Sequence, residues 1–299
     1  MLKRLSLAVQ GRTLKVGNLE KVFYPATGMT KGQVIDYYRA VAPAIIPHLA
    51  DHPLTLKRYP DGVEGEFFYE KRCPSYRPDW MLTADDPQAS RPLAYCVVND
   101  EPSLVWVANL ASIELHTLLS TSADPDRPTA MVFDLDPGEP ANLLDCVRAA
   151  LLMRDMLEGL HLESFPKSSG GKGLHFYVPL NTPVTFEQTK RFSQAVALTL
   201  ERDAPERFTS NMSKALRVGK VFVDWSQNDR HKTTICAYSL RARERPTVST
   251  PLSWEELRRA LRRGSTEGLV LEAHQLPGRL QAVGDLFEPV LSMRQELPM

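Results

Sequence analysis

Two short stretches carry the residue types from which phosphoryl-transfer sites are built. In Met131-Val132-Phe133-Asp134-Leu135-Asp136-Pro137-Gly138 an apolar run ends in two carboxylates at i and i+2. Alternate side chains of a strand share a face, so Asp134 and Asp136 should project together. Two neighbouring anions repel unless a cation lies between them, and hard oxygen ligands suit Mg²⁺ or Mn²⁺. Turn chemistry competes with this reading. Asp before Pro-Gly is common at turns, which accounts for Asp136 well and for Asp134, one step inside the apolar run, poorly. Val221-Phe222-Val223-Asp224 ends a second apolar run in a third acid, which by itself could be an ordinary strand-end carboxylate. Three acids on adjacent strand ends would make a two-metal site for phosphoryl transfer.

The second stretch is Ser168-Ser169-Gly170-Gly171-Lys172-Gly173-Leu174-His175. Its glycines let backbone N–H groups approach an anion, and Lys172 adds a positive charge. It departs from a Walker A loop: Gly173 follows Lys172 where Ser or Thr belongs, and Pro166 stands where the first glycine belongs. A flexible hairpin loop is the alternative, against which Lys172 and His175 weigh. A third candidate is His116. Residues 103–120 read as a mostly apolar helix on which Asn109, Ser112, His116 and Ser120 form a polar stripe at spacings of three and four. The stripe could face a polar cleft, or His116 could be a hydrogen-bonded core histidine.

Basic residues gather in two runs. The first forty residues hold seven basic and two acidic side chains, with Lys21 and Lys31 among the basic ones. Residues 206–245 hold nine basic and four acidic ones, with Arg217 and Arg241 among the basic ones. Such runs are usually solvated faces. Beside a candidate triphosphate site they also fit phosphate contacts. Phe67-Phe68-Tyr69 followed by Lys71 and Arg72 combines aromatic platforms with charge, as base stacking requires, although strand alternation would bury either Phe68 or the Phe67/Tyr69 pair.

These side chains need elements to position them. Thr30-x-x-Gln33, Asn142, Thr185-x-x-Gln188 and Ser253-x-x-Glu256 are helix N-caps. Pro43 and Pro47 should kink or break the first helix. Residues 54–71 read as a hairpin around Pro60-Asp61-Gly62, and 129–136, 174–180, 218–225 and 233–240 as strands. Strands and helices mix without βαβ alternation, so the fold class is α+β: mostly antiparallel sheets flanked by helices, in two lobes about a central catalytic cleft. The lobes should meet near residue 125, giving about 1–125 and about 126–299 of a single 1–299 domain.

Composition bounds the rest. The chain has 299 residues, 43% of them hydrophobic, with 36 basic against 36 acidic side chains. That excludes a disordered chain and a protein that coats nucleic acid by bulk attraction, but not a local basic groove. No apolar run reaches membrane-spanning length, and Met1-Leu2-Lys3-Arg4 does not open a secretion signal. Cys73, Cys96, Cys146 and Cys236 have no zinc spacing and read as reduced thiols of a cytoplasmic protein.

Together, Asp134-x-Asp136, Ser169-x-x-Lys172-x-x-His175 and Asp224 resemble the archaeo-eukaryotic primase superfamily. More narrowly, Lys21-Val22-Phe23-Tyr24-Pro25, Asp36-Tyr37-Tyr38, Leu56-Lys57-Arg58-Tyr59-Pro60-Asp61-Gly62, Pro78-Asp79-Trp80 and Tyr238-Ser239-Leu240-Arg241 resemble the polymerase domain of bacterial ligase D, over roughly residues 18–260. The resemblance implies a primase-polymerase fold and a nucleotidyltransferase that adds ribo- or deoxyribonucleotides to 3′ ends in non-homologous end joining. It implies that Asp134, Asp136 and Asp224 bind two Mn²⁺ or Mg²⁺ ions. His116, Ser169, Gly171, Lys172, His175, Arg217, Arg241 and Lys57 would serve the nucleoside triphosphate. Lys21 and Lys31 would grip a 5′-phosphate, and Phe67 and Phe68 would stack on DNA. Implied partners are DNA ends and gapped or primer-template DNA with a 5′-phosphate, Ku, and ligase and phosphoesterase domains, whose motifs are absent from these 299 residues. A monomer in the cytoplasm at the nucleoid, away from membranes, completes the expectation. A replicative-type primase, a metal-dependent nuclease and a non-catalytic DNA-end-binding module are the rivals.

Overall fold

The computed structural model describes residues 4–86, 88–89 and 91–298. Residues 1–3, the start of the stretch read above as no secretion signal, lie outside the described residues. The chain forms two compact units. One holds the chain up to Leu118 with Thr233–Val248 and Glu272–Gly284; the other holds Leu119–Lys232 and Ser249–Leu271 with the chain from Asp285 on. Each unit mixes helices with sheets whose pairs are antiparallel, apart from the parallel pairing of Phe208–Thr209 with Val221–Asp224.

In the second unit the sheet order is Phe165–Ser168, Leu174–Pro179, Ala130–Pro137, Val221–Asp224, Phe208–Thr209. The Ala130–Pro137 strand is central, and its alternation does the sorting. Met131, Phe133 and Leu135 are fully buried in the core, whereas Asp134 and Asp136 are less buried and face the other way. Phe133 stacks on Phe176 at 4.9 Å between ring centres. The Leu143–Glu158 helix, capped by Asn142 through a capping box and ended at Gly159, buries Cys146, Val147, Ala150 and Met153 in the same core. Thr185 caps Phe186–Asp203 and Ser253 caps Trp254–Arg263, each by the box that the sequence spells.

In the first unit the Leu54–Arg58 and Ser112–Leu118 strands lie side by side, with Thr233–Ile235 on the far edge of the latter. Phe68–Glu70 folds back on Leu54–Arg58 with Lys57 opposite Tyr69, the hairpin the Pro-Asp-Gly turn implies. Thr30 closes a capping box on Lys31–Ala40. The helix ends at Val41; Pro43 opens a second helix, Ala42–Leu49, and Pro47 is accommodated inside it.

Four expectations need correction. Residues 103–120 are not one helix: Glu101–Asn109 is helical, Ala111 turns the chain at φ +64°, and Ser112–Leu118 is a strand. That strand is buried on both faces, so its apolar run has no period by which to tell it from a helix. The helical stripe of Asn109, Ser112, His116 and Ser120 therefore does not exist. The strand expected over 233–240 stops at Ile235, because Tyr238 takes a positive φ of 66°. Cys73 and Cys96 form a disulfide rather than two reduced thiols; Cys146 and Cys236 are free and buried. Strand contacts bring the pair together, since the Cys73 N–H donates to Ala94 O at 2.7 Å, a relation that spacing alone does not reveal. Finally, neither set of the Phe67-Phe68-Tyr69 alternation is buried: the three side chains are 50%, 43% and 57% exposed.

Candidate active site

Four strands of the second unit place four chemical side chains in one row. Lys167 is the register partner of His175, His175 of Asp134, and Asp134 of Asp224. Directly opposed residues of antiparallel strands share a face, so the row lies on the side away from the helices that cover Phe133. His175 Nε2 is 3.0 Å from Asp134 Oδ1, Lys167 Nζ is 3.2 Å from His175 Nδ1, and Lys167 Nζ donates to Ser249 Oγ at 2.7 Å. An ammonium has only donors, so Nδ1 must accept from Lys167, and the ring proton sits on Nε2, which faces Asp134 Oδ1 as a close contact and not as an aligned hydrogen bond. Lys167 and Ser249 escaped the sequence reading. Lys167 could have been found by folding residues 165–179 symmetrically about the glycine loop, which pairs it with His175.

Asp136 lies two residues along the same face. Its register partner is Phe222, and the Arg217 guanidinium sits over the Phe222 ring at 3.6 Å, so Arg217 lies on the acidic side of the sheet. A Cβ at position 138 would stand 1.9 Å from Arg217 O, which is why the turn after the acids is a glycine. Asp224 is turned onto its own 3₁₀ turn: Oδ1 accepts from Ser226 N–H at 2.9 Å and Ser226 Oγ at 2.6 Å, and Oδ2 from Gln227 Nε2 at 3.1 Å. Among the described residues, no three His, Cys, Asp or Glu side chains converge as a metal-ligating group.

The glycine loop is the turn joining Phe165–Ser168 to Leu174–Pro179. Ser168 Oγ accepts from Gly170 N–H at 2.9 Å and Ser169 Oγ from Gly173 N–H at 3.3 Å, which fixes the loop. No hydrogen bond is made by the N–H of Gly171 or of Lys172 among the described residues. The Lys172 ammonium rests on Glu139 at 2.6 Å. That contact holds the Glu139 carboxyl below its ordinary pKa, first through the hydrogen bond and then through charge. Both side chains are well exposed, so the pair is readily broken. A Cβ on Gly173 would meet Leu135 O at 2.6 Å and Asp136 Oδ1 at 3.0 Å. Gly173→Ala is accordingly expected to cost about 1–3 kcal/mol and to reduce activity beyond its effect on folding, because the methyl group pushes on Asp136. Calorimetry beside an activity assay checks this, and an unchanged Tm would contradict the contact.

In the first unit, His116 belongs to a second polar cluster whose hub the sequence reading missed. Glu114, two residues before His116 on the same strand face, is buried, at 2% exposure. Its Oε2 lies 2.9 Å from His116 Nε2; its Oε1 lies 3.3 Å from Arg241 Nε, 3.0 Å from the Ala242 N–H and 3.8 Å from Lys57 Nζ. Burial alone would raise the Glu114 pKa, but the His116 hydrogen bond and the charges of Arg241 and Lys57 overcome it and hold the group down at about 2. Burial lowers His116 despite the pull of Glu114, so near neutrality the pair is imidazole and carboxylate. Period-2 reading of 112–118 would have exposed the Glu114/His116 pair; the helical assignment hid it. Lys57 also lies over Phe67 at 4.3 Å, and Arg58 over Phe68 at 5.1 Å.

Lys21 and Lys31 are close neighbours, the Lys31 N–H donating to Lys21 O at 2.8 Å. The Lys21 ammonium pairs with Asp61. Lys31 is buried, donates to Gly17 O at 2.9 Å and Asn109 Oδ1 at 2.8 Å, and has its pKa pushed down to about 8 by burial and by the charges of Arg58 and Lys21. Lys21 and Arg58 each have a carboxylate partner, Asp61 and Glu70, whereas the Lys31 ammonium meets only neutral acceptors among the described residues.

Comparison with known proteins gives this geometry its family. A model described as "LigD, primase-polymerase domain" matches residues 30–287. The multifunctional non-homologous end joining protein LigD of Mycolicibacterium smegmatis is 40% identical over 279 residues, covering 93% of this chain and 36% of that protein. The bifunctional LigD of Bacillus subtilis is 33% identical over 249 residues, covering 83% of this chain and 40% of that protein. The chain thus spans little more than a third of these relatives' length. Among solved structures, the polymerase domain from Mycobacterium tuberculosis ligase D in complex with DNA superposes with a TM-score of 0.87 at 37% identity, covering 94% of this chain and 99% of that one. The carboxylate row, the glycine loop and these likenesses agree: the chain belongs to the LigD primase-polymerase domain family and has the α+β primase-polymerase fold.

Proposed function

We propose that the protein extends the 3′ ends of broken or gapped DNA by nucleotidyl transfer, as the polymerase part of an end-joining machinery. Membership in the family makes it a nucleotidyltransferase of the primase-polymerase type. The observation that carries the reading to chemistry is the row Lys167–His175–Asp134–Asp224 beside a glycine loop with two unengaged N–H groups. A nuclease needs the acids but no such loop, and an end-binding module needs neither.

The donor set of Asp134, Asp136 and Asp224 consists of hard carboxylate oxygens on one sheet face, which fits Mg²⁺ or Mn²⁺. Gathering them requires Asp224 to exchange Ser226 and Gln227 for the ion. Two such ions would neutralise the triphosphate and acidify the attacking hydroxyl. The protein's own part is positional. Lys167 fixes the His175 tautomer, which turns the Nε2–H towards Asp134. The N–H groups of Gly171 and Lys172, with Ser169 nearby, offer donors to phosphate oxygens. Lys172 leaves the exposed Glu139 for the triphosphate, and Arg217 adds charge where pyrophosphate departs. His116, Arg241 and Lys57, gathered by Glu114, would serve the base and sugar side of the nucleotide.

Lys21 and Lys31 would hold a 5′-phosphate, and Phe67 and Phe68 would stack on the DNA end. Ku and covalently joined ligase and phosphoesterase domains, acting at the nucleoid with this part as a monomer, complete the proposal. No helix among the described residues is long and apolar enough to cross a membrane. The test is a gel with gapped, blunt and single-stranded substrates, with and without 5′-phosphate, in manganese or magnesium. Lengthening of a primer by labelled ribonucleotide supports polymerase, shortening supports nuclease, and start of a chain without primer supports a replicative-type primase.

A pH dependence follows from Lys31. A lysine whose folded pKa is about 8 is charged below that pH and neutral above it. Preference for a 5′-phosphorylated end over a hydroxyl end is therefore expected to be full below about pH 8 and to shrink above it. Fluorescence anisotropy at about pH 7 and about pH 9.5 reads the ratio; if it stays constant, Lys31 is not the phosphate contact.

A further inference from the structure

Three stretches that carry the family resemblance have no part in the roles above: Tyr24, the Tyr37-Tyr38 pair, and Tyr238-Ser239-Leu240 just before Arg241. The fold of the first unit draws them together. Tyr24 and Tyr38 are fully buried, and Tyr37 and Tyr238 nearly so. A phenylalanine would fill each of these places without a polar atom to satisfy, so packing alone does not account for the hydroxyls. The hydroxyls of Tyr24, Tyr37 and Tyr38 all reach one short segment, 238–241, that lies 201 to 217 residues away in sequence. The Tyr24 hydroxyl donates to Arg241 O at 2.9 Å, and the Tyr37 hydroxyl to Tyr238 O at 2.7 Å. The Tyr38 hydroxyl donates to Ile113 O at 2.6 Å, accepts from the Leu240 N–H at 3.2 Å and lies 3.3 Å from Ser239 Oγ. Ser239 Oγ in turn accepts from the Leu115 N–H at 2.9 Å. Burial pushes all three phenols well above their ordinary pKa, so they stay protonated near neutrality.

The segment needs holding. Its backbone leaves the Thr233–Ile235 strand and takes φ +66° at Tyr238, a left-handed conformation that a bulky residue keeps only where its surroundings impose it. What the segment delivers is Arg241. The Arg241 Nε lies 3.3 Å from Glu114 Oε1, and the Ala242 N–H donates to the same oxygen at 3.0 Å. A guanidinium at the end of a long side chain meets its ligand in one geometry only if its backbone is fixed. Loss of a hydroxyl lets the segment relax and lowers the fraction of molecules with Arg241 in place. Apparent affinity for the ligand falls by that fraction, whereas the complex once formed is unchanged. We infer that Tyr24, Tyr37 and Tyr38 are positioning residues for nucleotide binding: their hydroxyls lock the 238–241 segment and so hold Arg241 in place before the nucleotide arrives. The inference deepens the nucleotide role proposed for Arg241 and rests on it.

The test uses phenylalanine, which keeps each ring and removes only its hydroxyl. In primer extension, Tyr24→Phe and Tyr37→Phe are each expected to raise nucleotide KM roughly threefold to tenfold, the worth of one net hydrogen bond, with kcat changed little. A tyrosine that only supports the fold would lower the Tm and leave KM alone. The second measurement is a double-mutant cycle with Arg241→Ala, read as the Kd of a fluorescent ATP analogue in the presence of Mn²⁺ by anisotropy. Because the hydroxyls act through Arg241, Tyr24→Phe should add nothing to the loss of affinity in Arg241→Ala. Circular dichroism verifies the fold of every variant. The parent's KM in both phenylalanine variants, or an undiminished effect of Tyr24→Phe on the Arg241→Ala background, would overturn the lock. Failure of the parent reading looks different and removes the inference with it: Arg241→Ala by itself then leaves nucleotide affinity unchanged.

Discussion

Asp134→Ala is expected to abolish nucleotide addition, lowering it by about a thousandfold or more, while DNA-end binding stays detectable. The size follows from the place of Asp134 in its row. It stands between His175 and Asp224 on neighbouring strands, with Asp136 two residues on, so its removal takes the middle donor from the acidic set. It also removes the carboxylate that lies 3.0 Å from His175 Nε2. The end-binding candidates Lys21, Lys31, Phe67 and Phe68 belong to the other unit and keep their surroundings. Asp134→Asn separates shape from charge: it preserves volume and should be nearly as inactive, whereas Lys172→Ala should lose far less. Normal extension of a primer by the Asp134→Ala protein would remove the metal-site assignment.

Glu114→Ala carries the second large effect, on stability and nucleotide binding together. One buried carboxylate gathers His116, Arg241 and Lys57, and removing it leaves positive charge half-buried without its counter-ion, a loss of about 3–5 kcal/mol. Glu114→Gln should cost less, because the amide still offers an oxygen to the Ala242 N–H at 3.0 Å. The sign of the pH effect is fixed. Glu114 titrates near 2 when folded and near its ordinary 4.5 when unfolded, so its contribution is present above about 4.5 and lost as pH falls towards 2. The upper bound of that contribution is about 3 kcal/mol. In urea titrations the acid-side loss of stability should be shallower in Glu114→Gln than in the parent. If His116, Arg241 and Lys57 serve the nucleotide as proposed, nucleotide KM should rise in the variant with kcat changed less, since Glu114 would then position those contacts without itself reacting. A variant with the parent's acid profile and KM would show the cluster to be neither stabilising nor used.

Much of the acidic site was legible because it depends on period-2 alternation within single strands and on capping residues within single helices. Asp134 and Asp136 share a face as their spacing requires, and the Thr30, Asn142, Thr185 and Ser253 caps start the helices they announce. His116 was legible as a residue and not as a geometry. The strand that bears it is buried on both sides and gives no period, so its partner Glu114 stayed hidden. Lys167 and Ser249 were missed for a different reason: one is placed by a register across a turn, the other lies 82 residues away.

Residue type and near-neighbour spacing were enough to specify the chemistry on offer: three strand-end carboxylates, a glycine loop with lysine and histidine, and two runs of positive charge. That is the range over which a chain's own stereochemistry acts. Which charges are spent and which remain was settled only by the fold. The basic run over 206–245 is divided between two units, Arg241 is consumed by Glu114, Lys31 is buried to a pKa of about 8, and Lys71, Arg72 and Arg77 are left without ion-pair partners among the described residues. Burial and pairing depend on what distant segments bring within a few ångströms, and desolvation and Coulomb energy change steeply over that distance.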